Sequence, residues 1–192
     1  MKLTTPRLVL RDLRKGDAAS ITKYVSDREI AKNLLVVPHP YSLKDAKVFL
    51  ALCAKFKTKQ RREVYNLALE LKSTGELIGL IGIKDIHYFN GTGDLGYWLG
   101  RPYHRQGLMS EAVAEVLKFA FIKLEFRRVS VCAFAENKAS NGLIKKLGFK
   151  HEGIFQKSVR DRATGAIHDT HHYGLLKQDW LKRKPQTKSR RK

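Results

Sequence analysis

The chain reads as one α/β domain built on a single mixed sheet. Three observations predict this. Tyr65, Leu67, Leu69 and Leu71 alternate with period two and are followed, after a polar turn, by a second apolar segment. Two stretches with apolar residues at helical spacing lie on either side of that hairpin. Strands and helices then interleave to the end of the pattern without an internal repeat.

Taken in order, Leu8 to Leu13 alternates as a first strand, and Gly16-Asp17 opens a helix running to about Asp27. Ser42 with Asp45 three residues later has the form of a capping box, and Ala46, Phe49, Leu50, Cys53 and Phe56 give the second helix one apolar face. The Lys72 to Glu76 stretch turns the chain, and Leu77 to Ile86 returns as the partner of the period-two strand. After the Asn90-Gly91-Thr92-Gly93 turn comes Leu95-Gly96-Tyr97-Trp98-Leu99-Gly100, a short strand whose glycines mark a bulge or a close approach to its backbone. A long helix is expected from about Ser110 to Leu124, with Ala112, Val113, Val116, Leu117, Ala120 and Phe121 toward the core. Val129 to Ala133 reads as a strand and Lys138 to Leu147 as a short helix stopped by Gly148. Two strands joined around Ala163-Thr164-Gly165 finish the pattern. Residues 1–181 form the expected domain, and 182–192 are expected to be a basic, disordered tail.

At 192 residues with 43% apolar content the chain can bury a real core without disulfide or metal staples. Cys53 and Cys132 lack the spacing of a disulfide framework or a zinc site, and both are expected to be buried, reduced thiols. His168, His171 and His172 would project from both faces of a strand, so no metal site is expected. No apolar run is long enough to span a bilayer, and the N-terminal residues are polar, so the cytoplasm is the expected location. The net charge is +20, and removing the seven cations of 182–192 leaves +13. Such a surface attracts polyanions and repels polycations. It is either a solvated face or a contact surface for RNA, a ribosome or an acidic protein.

The segment His104-Arg105-Gln106-Gly107-Leu108-Met109-Ser110-Glu111 joins the glycine-flanked strand to the long helix. Free N–H groups and the positive dipole end at that helix start suit an anion, and Gly107 allows close approach. The nucleotide-hydrolase pattern GxxxxGK[ST] is missing. Gly96 to Gly100, the loop His104 to Ser110 with Glu111-Ala112, Glu136-Asn137-Lys138-Ala139-Ser140 and Lys146-Leu147-Gly148-Phe149 together resemble the GNAT acetyltransferases. Thr5-Pro6-Arg7-Leu8 and Pro40-Tyr41-Ser42 are similar to the branch containing the ribosomal-protein N-terminal acetyltransferases of RimJ/RimL type. The resemblance covers roughly residues 3–180, with two departures: His104 where Gln or Arg is frequent, and Met109 where Gly or Ala is frequent.

The resemblance implies a single-domain GNAT fold with a pyrophosphate-binding loop before the long central helix, and acetyl-CoA as co-substrate. Carried onto this chain, it implies that Arg105, Gln106, Gly107, Leu108, Met109 and Ser110 wrap the pyrophosphate. Leu99 and Gly100 would pair with the pantetheine through main-chain groups, and Asn137 would hydrogen-bond it. Ser140 either assists the leaving thiolate or satisfies helix N–H groups, and Glu136 is either a general base or a favourable charge at a helix start. Asp94, His87 and Tyr88 are further possible proton acceptors. The implied acceptors are protein N-terminal amines, those of ribosomal proteins among them. A small amine or amino sugar, or a catalytically weak RNA- or ribosome-binding module, is the alternative.

Overall fold

The computed structural model describes residues 1–57 and 61–183. Its centre is an eight-stranded sheet in the spatial order β1-β2-β3-β4-β5-β6-β8-β7. The strands are β1 (Lys2–Thr4), β2 (Leu8–Asp12), β3 (Tyr65–Leu71), β4 (Leu77–His87), β5 (Thr92–Leu99), β6 (Arg128–Phe134), β7 (Lys150–Arg160) and β8 (Ile167–Leu176). Every neighbouring pair is antiparallel except β5 and β6. A parallel pair needs a crossover. It is supplied by α4 (Leu108–Lys118), which passes into a π-helical turn over Phe119–Lys123.

The two faces of the sheet are covered differently. On the first face, α4 and α5 (Lys138–Lys146) close a core that includes Leu8, Leu10, Leu67, Leu69, Ile81, Val113, Phe121, Ile144 and Tyr173. On the second face, α1 (Ala18–Val25) and α3 (Leu43–Lys57) pack with Ala68, Leu77 and Leu80, and Trp98 lies against them. Because β3 and β4 are covered on both sides, Leu67, Ala68 and Leu69 are all buried, as is the whole run Leu77–Ile81. That double coverage is why β4 reads as a continuous apolar run rather than an alternation.

The expected hairpin is present, with Tyr65 opposite Ile83 and Leu67 opposite Ile81. The capping box is also present: Ser42 N–H donates to Asp45 Oδ2 at 2.8 Å, and Asp45 N–H donates to Ser42 Oγ at 3.2 Å. The first expected helix is present as α1, and a separate short helix, α2 (Arg28–Ala31), follows behind Asp27, whose side chain accepts from the Glu29 N–H. Two further elements escape the sequence pattern. β1 is three residues long, too short for a period, and α6 (Lys177–Lys182) is little more than one turn, docked by Trp180 against Phe121. Lys182 therefore ends a helix; residues 184–192, the rest of the expected tail, lie outside the described residues.

The thiols differ from expectation. Cys53 is half-buried, with the Asn66 amide donating to it at 3.3 Å, but Cys132 is exposed. Cys132 alternates with the buried Val131 and Ala133, so it points to the second face, which α1 and α3 leave open beyond β5. Among the described residues, no helix is long and apolar enough to cross a membrane, and no group of three His, Cys, Asp or Glu is placed to hold a metal ion.

Candidate active site

β5 and β6 separate partway along their length. Their ladder runs from Thr92 opposite Arg128 to Leu95 opposite Val131 and stops there, although β5 continues to Leu99 and β6 to Phe134. On its other edge β5 stays bonded to β4 as far as Leu99, and Gly100 N–H still donates to Ile78 O at 2.8 Å. A wedge therefore opens between Gly96–Leu99 and Cys132–Phe134, with β5 backbone along one side. Gly100 is required where it stands, because a Cβ would lie 2.6 Å from the Tyr24 ring. Leu99 O accepts from the His104 ring at 2.8 Å, which gives His104 a local role in holding the strand end.

Beyond the strand, the chain makes one 3-10 turn (Arg101–Tyr103) and reaches α4 through Arg105 and Gly107, both left-handed with φ of 59° and 76°. Gly107 is the N-cap residue, and no side chain caps the helix. A Cβ at Gly107 would meet nothing closer than the Arg7 guanidinium at 3.6 Å, so this helix start faces open space. Leu108 and Met109 bury their side chains and can offer only backbone N–H groups outward, whereas Arg105 and Gln106 are exposed and Ser110 is half-buried. The loop is held by a residue the sequence did not single out for it. Arg7 donates to Gln106 O at 2.9 Å and to Glu111 Oε2 at 2.8 Å, and its backbone N–H donates to Glu111 Oε1 at 2.8 Å. Burial would raise the Glu111 carboxyl, but these donors and the Thr5 hydroxyl hold it below its ordinary value. An uncapped helix N-terminus with an open glycine is suited to a diphosphate.

The first face of the wedge carries a hydroxyl pair. Tyr97 projects from β5 and shares a 2.9 Å hydrogen bond with Ser140 Oγ on α5. Burial pushes the Tyr97 phenol up to about 12, against the opposing influence of Ser140, so at neutral pH it keeps its proton and can donate it to Ser140. That arrangement leaves the Ser140 proton free to point elsewhere. Helix capping falls to Asn137, whose Oδ1 accepts from Ser140 N–H at 3.0 Å. The serine is therefore spared the capping role, and Asn137 retains its amide donors. Asn141, buried behind them, donates to Phe134 O at 2.9 Å and accepts from the Tyr173 hydroxyl at 2.7 Å, tying α5 to β6 and β8.

The second face is bare at the wedge. Gly82 and Gly96 are directly opposite across β4 and β5, and a Cβ on Gly96 would meet nothing within 4 Å. Next to this floor stands Asp94, opposite Ser130 in the last paired stretch before the strands part. Burial, and then the charge of Asp85, raise its pKa above the ordinary aspartate value. Lys84, its cross-strand neighbour, pairs with Asp85 at 3.7 Å instead. Glu136 is placed differently from a lone base: its carboxylate meets His168 Nδ1, while His168 Nε2 donates to the buried Asp161 at 2.8 Å. The imidazole, stacked on Phe134, loses basicity through burial but gains more from the two carboxylates, so its pKa is raised. His87 and Tyr88 sit at the far end of β4, and the Tyr88 hydroxyl donates to Arg62 O at 2.8 Å, which removes both from the wedge.

A family model described as "Acetyltransferase (GNAT) domain" matches residues 7–150. The chain is 29% identical over 178 residues to an uncharacterized N-acetyltransferase, p20, of Bacillus licheniformis, covering 93% of this chain and 97% of that one. It is 31% identical over 83 residues to the ribosomal-protein-serine acetyltransferase of Escherichia coli, covering 43% and 46% of the two chains. Among solved structures, a RimL ribosomal L7/L12 alpha-N-protein acetyltransferase in complex with coenzyme A superposes with a TM-score of 0.79 at 19% identity, over 92% of this chain and 98% of that one. Strand order, the β5–β6 wedge and the uncapped α4 start thus belong to a chain that is a member of the GNAT family of N-acetyltransferases.

Proposed function

We propose that this N-acetyltransferase acts on the α-amino group of a protein N-terminus, with a ribosomal protein as its substrate class. The observation that carries the reading is the wedge, which has a hydroxyl donor pair on one face and a glycine floor beside a raised carboxylate on the other. Acetyl-CoA supplies an activated thioester carbonyl. The N–H groups of Arg105 to Ser110 would hold its diphosphate, and the β5 edge at Leu99 and Gly100 would hold its pantetheine, joined by the Asn137 amide. Ser140, oriented by Tyr97, would give a hydrogen bond to the sulfur as the C–S bond breaks. Asp94 would take the proton that the amine loses on forming the new C–N bond, directly or through a water. Glu136, engaged by His168, is the weaker candidate for that step and lies at the rim.

An α-amine, with a pKa near 8 against 10.4 for lysine, reaches its neutral form for roughly 3 kcal/mol less at pH 7. A half-buried aspartate therefore suffices as acceptor, without a dedicated histidine dyad. The names of the relatives and the basic surface support a ribosomal acceptor. The test offers acetyl-CoA with peptides whose N-terminus is free or blocked, each with and without lysine, and reads acetylation by mass. Transfer confined to free N-termini is expected; transfer to lysine side chains of blocked peptides, or only to small amines, would overturn the reading.

A further inference from the structure

A depression of the surface lies away from the wedge. It encloses about 680 Å³ and is lined by Arg61, Tyr88, Phe89, Asn90, Lys123 and Arg127, among others. It sits where the β4–β5 turn meets the π-helical end of α4. The wedge begins at Gly96, four residue steps along β5 from Thr92, which puts its near edge roughly 13 Å away and its far end at Leu99 roughly 23 Å away. Acetyl transfer uses none of these side chains.

Phe89 is fully exposed. Its neighbour Tyr88 is by contrast tied down, through its hydroxyl to Arg62 O and edge-on to the buried Phe126 ring. Phe89 adds nothing to the core and leaves both ring faces accessible. Three cations, Arg61, Lys123 and Arg127, share the basin with one acid, Glu125, and among the described residues none of the three forms an ion pair. Arg127 is held in place, with its Nε–H donating to Asn90 O at 2.6 Å and its backbone N–H to Gly91 O at 2.8 Å. Arg61 lies over the Tyr88 ring at 5.5 Å. The walls are tight turns, with Gly91 and Glu125 left-handed at φ of 60° and 57°. The result is an aromatic platform flanked by three positive charges, two of them placed by contacts with the turn and the Tyr88 ring.

We propose that this basin binds single-stranded RNA, with a base stacked on Phe89 and backbone phosphates met by Arg61, Lys123 and Arg127. Stacking on an exposed ring with phosphates on flanking arginines is the chemistry by which single strands are held without sequence readout. A duplex keeps its bases inside the stack and cannot offer one to Phe89. An acidic peptide would satisfy the cations but leave the ring without a planar partner. The net charge of +20 draws a polyanion toward the surface from a distance. The proposal stands apart from the identity of the acetylated amine.

The test uses the full chain and a short fluorescein-labelled single-stranded RNA, followed by fluorescence anisotropy across a salt series. Phe89→Ala should weaken binding roughly 5- to 150-fold with the salt slope nearly unchanged, because a stack and not a charge is lost. Arg61→Gln with Arg127→Gln should make the slope of log affinity against log salt shallower by about 1.4, near 0.7 for each phosphate contact. Lys123→Gln serves in place of Arg127→Gln if the latter disturbs the turn. Acetylation of a peptide should proceed at the wild-type rate in every variant. Unchanged affinity in Phe89→Ala, or duplex RNA or polyglutamate binding as tightly as the single strand, would overturn the proposal. A chain that shows these RNA effects but does not acetylate N-termini would refute the proposed acceptor and leave this site standing.

Discussion

The Tyr97–Ser140 pair makes a quantitative prediction about catalysis. If the Ser140 hydroxyl meets the sulfur only as negative charge develops, the lost interaction in Ser140→Ala is a hydrogen bond to a charged group, worth about 1.5–3 kcal/mol. That corresponds to a kcat lowered roughly 10- to 150-fold. Tyr97 acts through Ser140 at 2.9 Å, so Tyr97→Phe removes a neutral hydrogen bond worth about 1 kcal/mol and should lower kcat roughly fivefold. Once Ser140 is absent, Tyr97 has nothing to orient. The double variant should therefore match Ser140→Ala alone, with a coupling of about 1 kcal/mol. Because these are transition-state interactions, the KM for acetyl-CoA should move little. The assay is initial-rate thiol release with both substrates varied. A Ser140→Ala variant with wild-type kcat, or losses that simply add in the double variant, would refute the reasoning.

Gly107→Glu places a carboxylate in open space at the α4 start, with a left-handed backbone cost of about 1–2 kcal/mol that the fold should survive, while acetyl-CoA affinity measured by calorimetry falls more than about a hundredfold, the repulsion between charges about 4 Å apart being near 4 kcal/mol. Asp94→Asn should lower kcat/KM for the peptide about a hundredfold near pH 7, the low end for a lost general base, with acetyl-CoA binding retained; an unchanged rate constant would point to water as the acceptor. Gly96→Val fills the bare floor without a backbone penalty, so the KM for the peptide should rise at least tenfold while cofactor affinity holds, and equal loss of both would show that Gly96 faces the cofactor instead. The raised pKa of His168, set by Glu136 and Asp161, means its stabilisation is fully present below about pH 6.5 and is lost as pH rises through the folded value. The melting temperature gap between the wild type and His168→Gln should thus be widest near pH 6 and narrow at higher pH; a gap that widens with pH would show the opposite sign of coupling.

What the amino-acid sequence reveals here follows the range of the interactions involved. The Ser42–Asp45 box and the β3–β4 hairpin are settled within a few residues, and both were legible without a structure. The wedge was not, because strand separation depends on where β6 comes to rest after an intervening helix. Only the glycines at 96 and 100 hinted that something approaches β5 closely. The contacts around the wedge and the α4 loop span long separations: Tyr97 reaches Ser140 43 positions away, His168 reaches Glu136 across 32, and Arg7 reaches Gln106 across 99. No periodicity encodes such contacts. The same reasoning explains the error at Cys132, whose residue type favours burial while its strand face is left uncovered by α1 and α3. It also changes the reading of Ser140. A serine three residues after Asn137 looks locally like a helix cap, yet the cap is the asparagine, and the tertiary contact with Tyr97 gives the hydroxyl a different partner. Local sequence thus specifies the frame of this enzyme, and the divergence of two central strands decides which of the framed side chains line the opening between them.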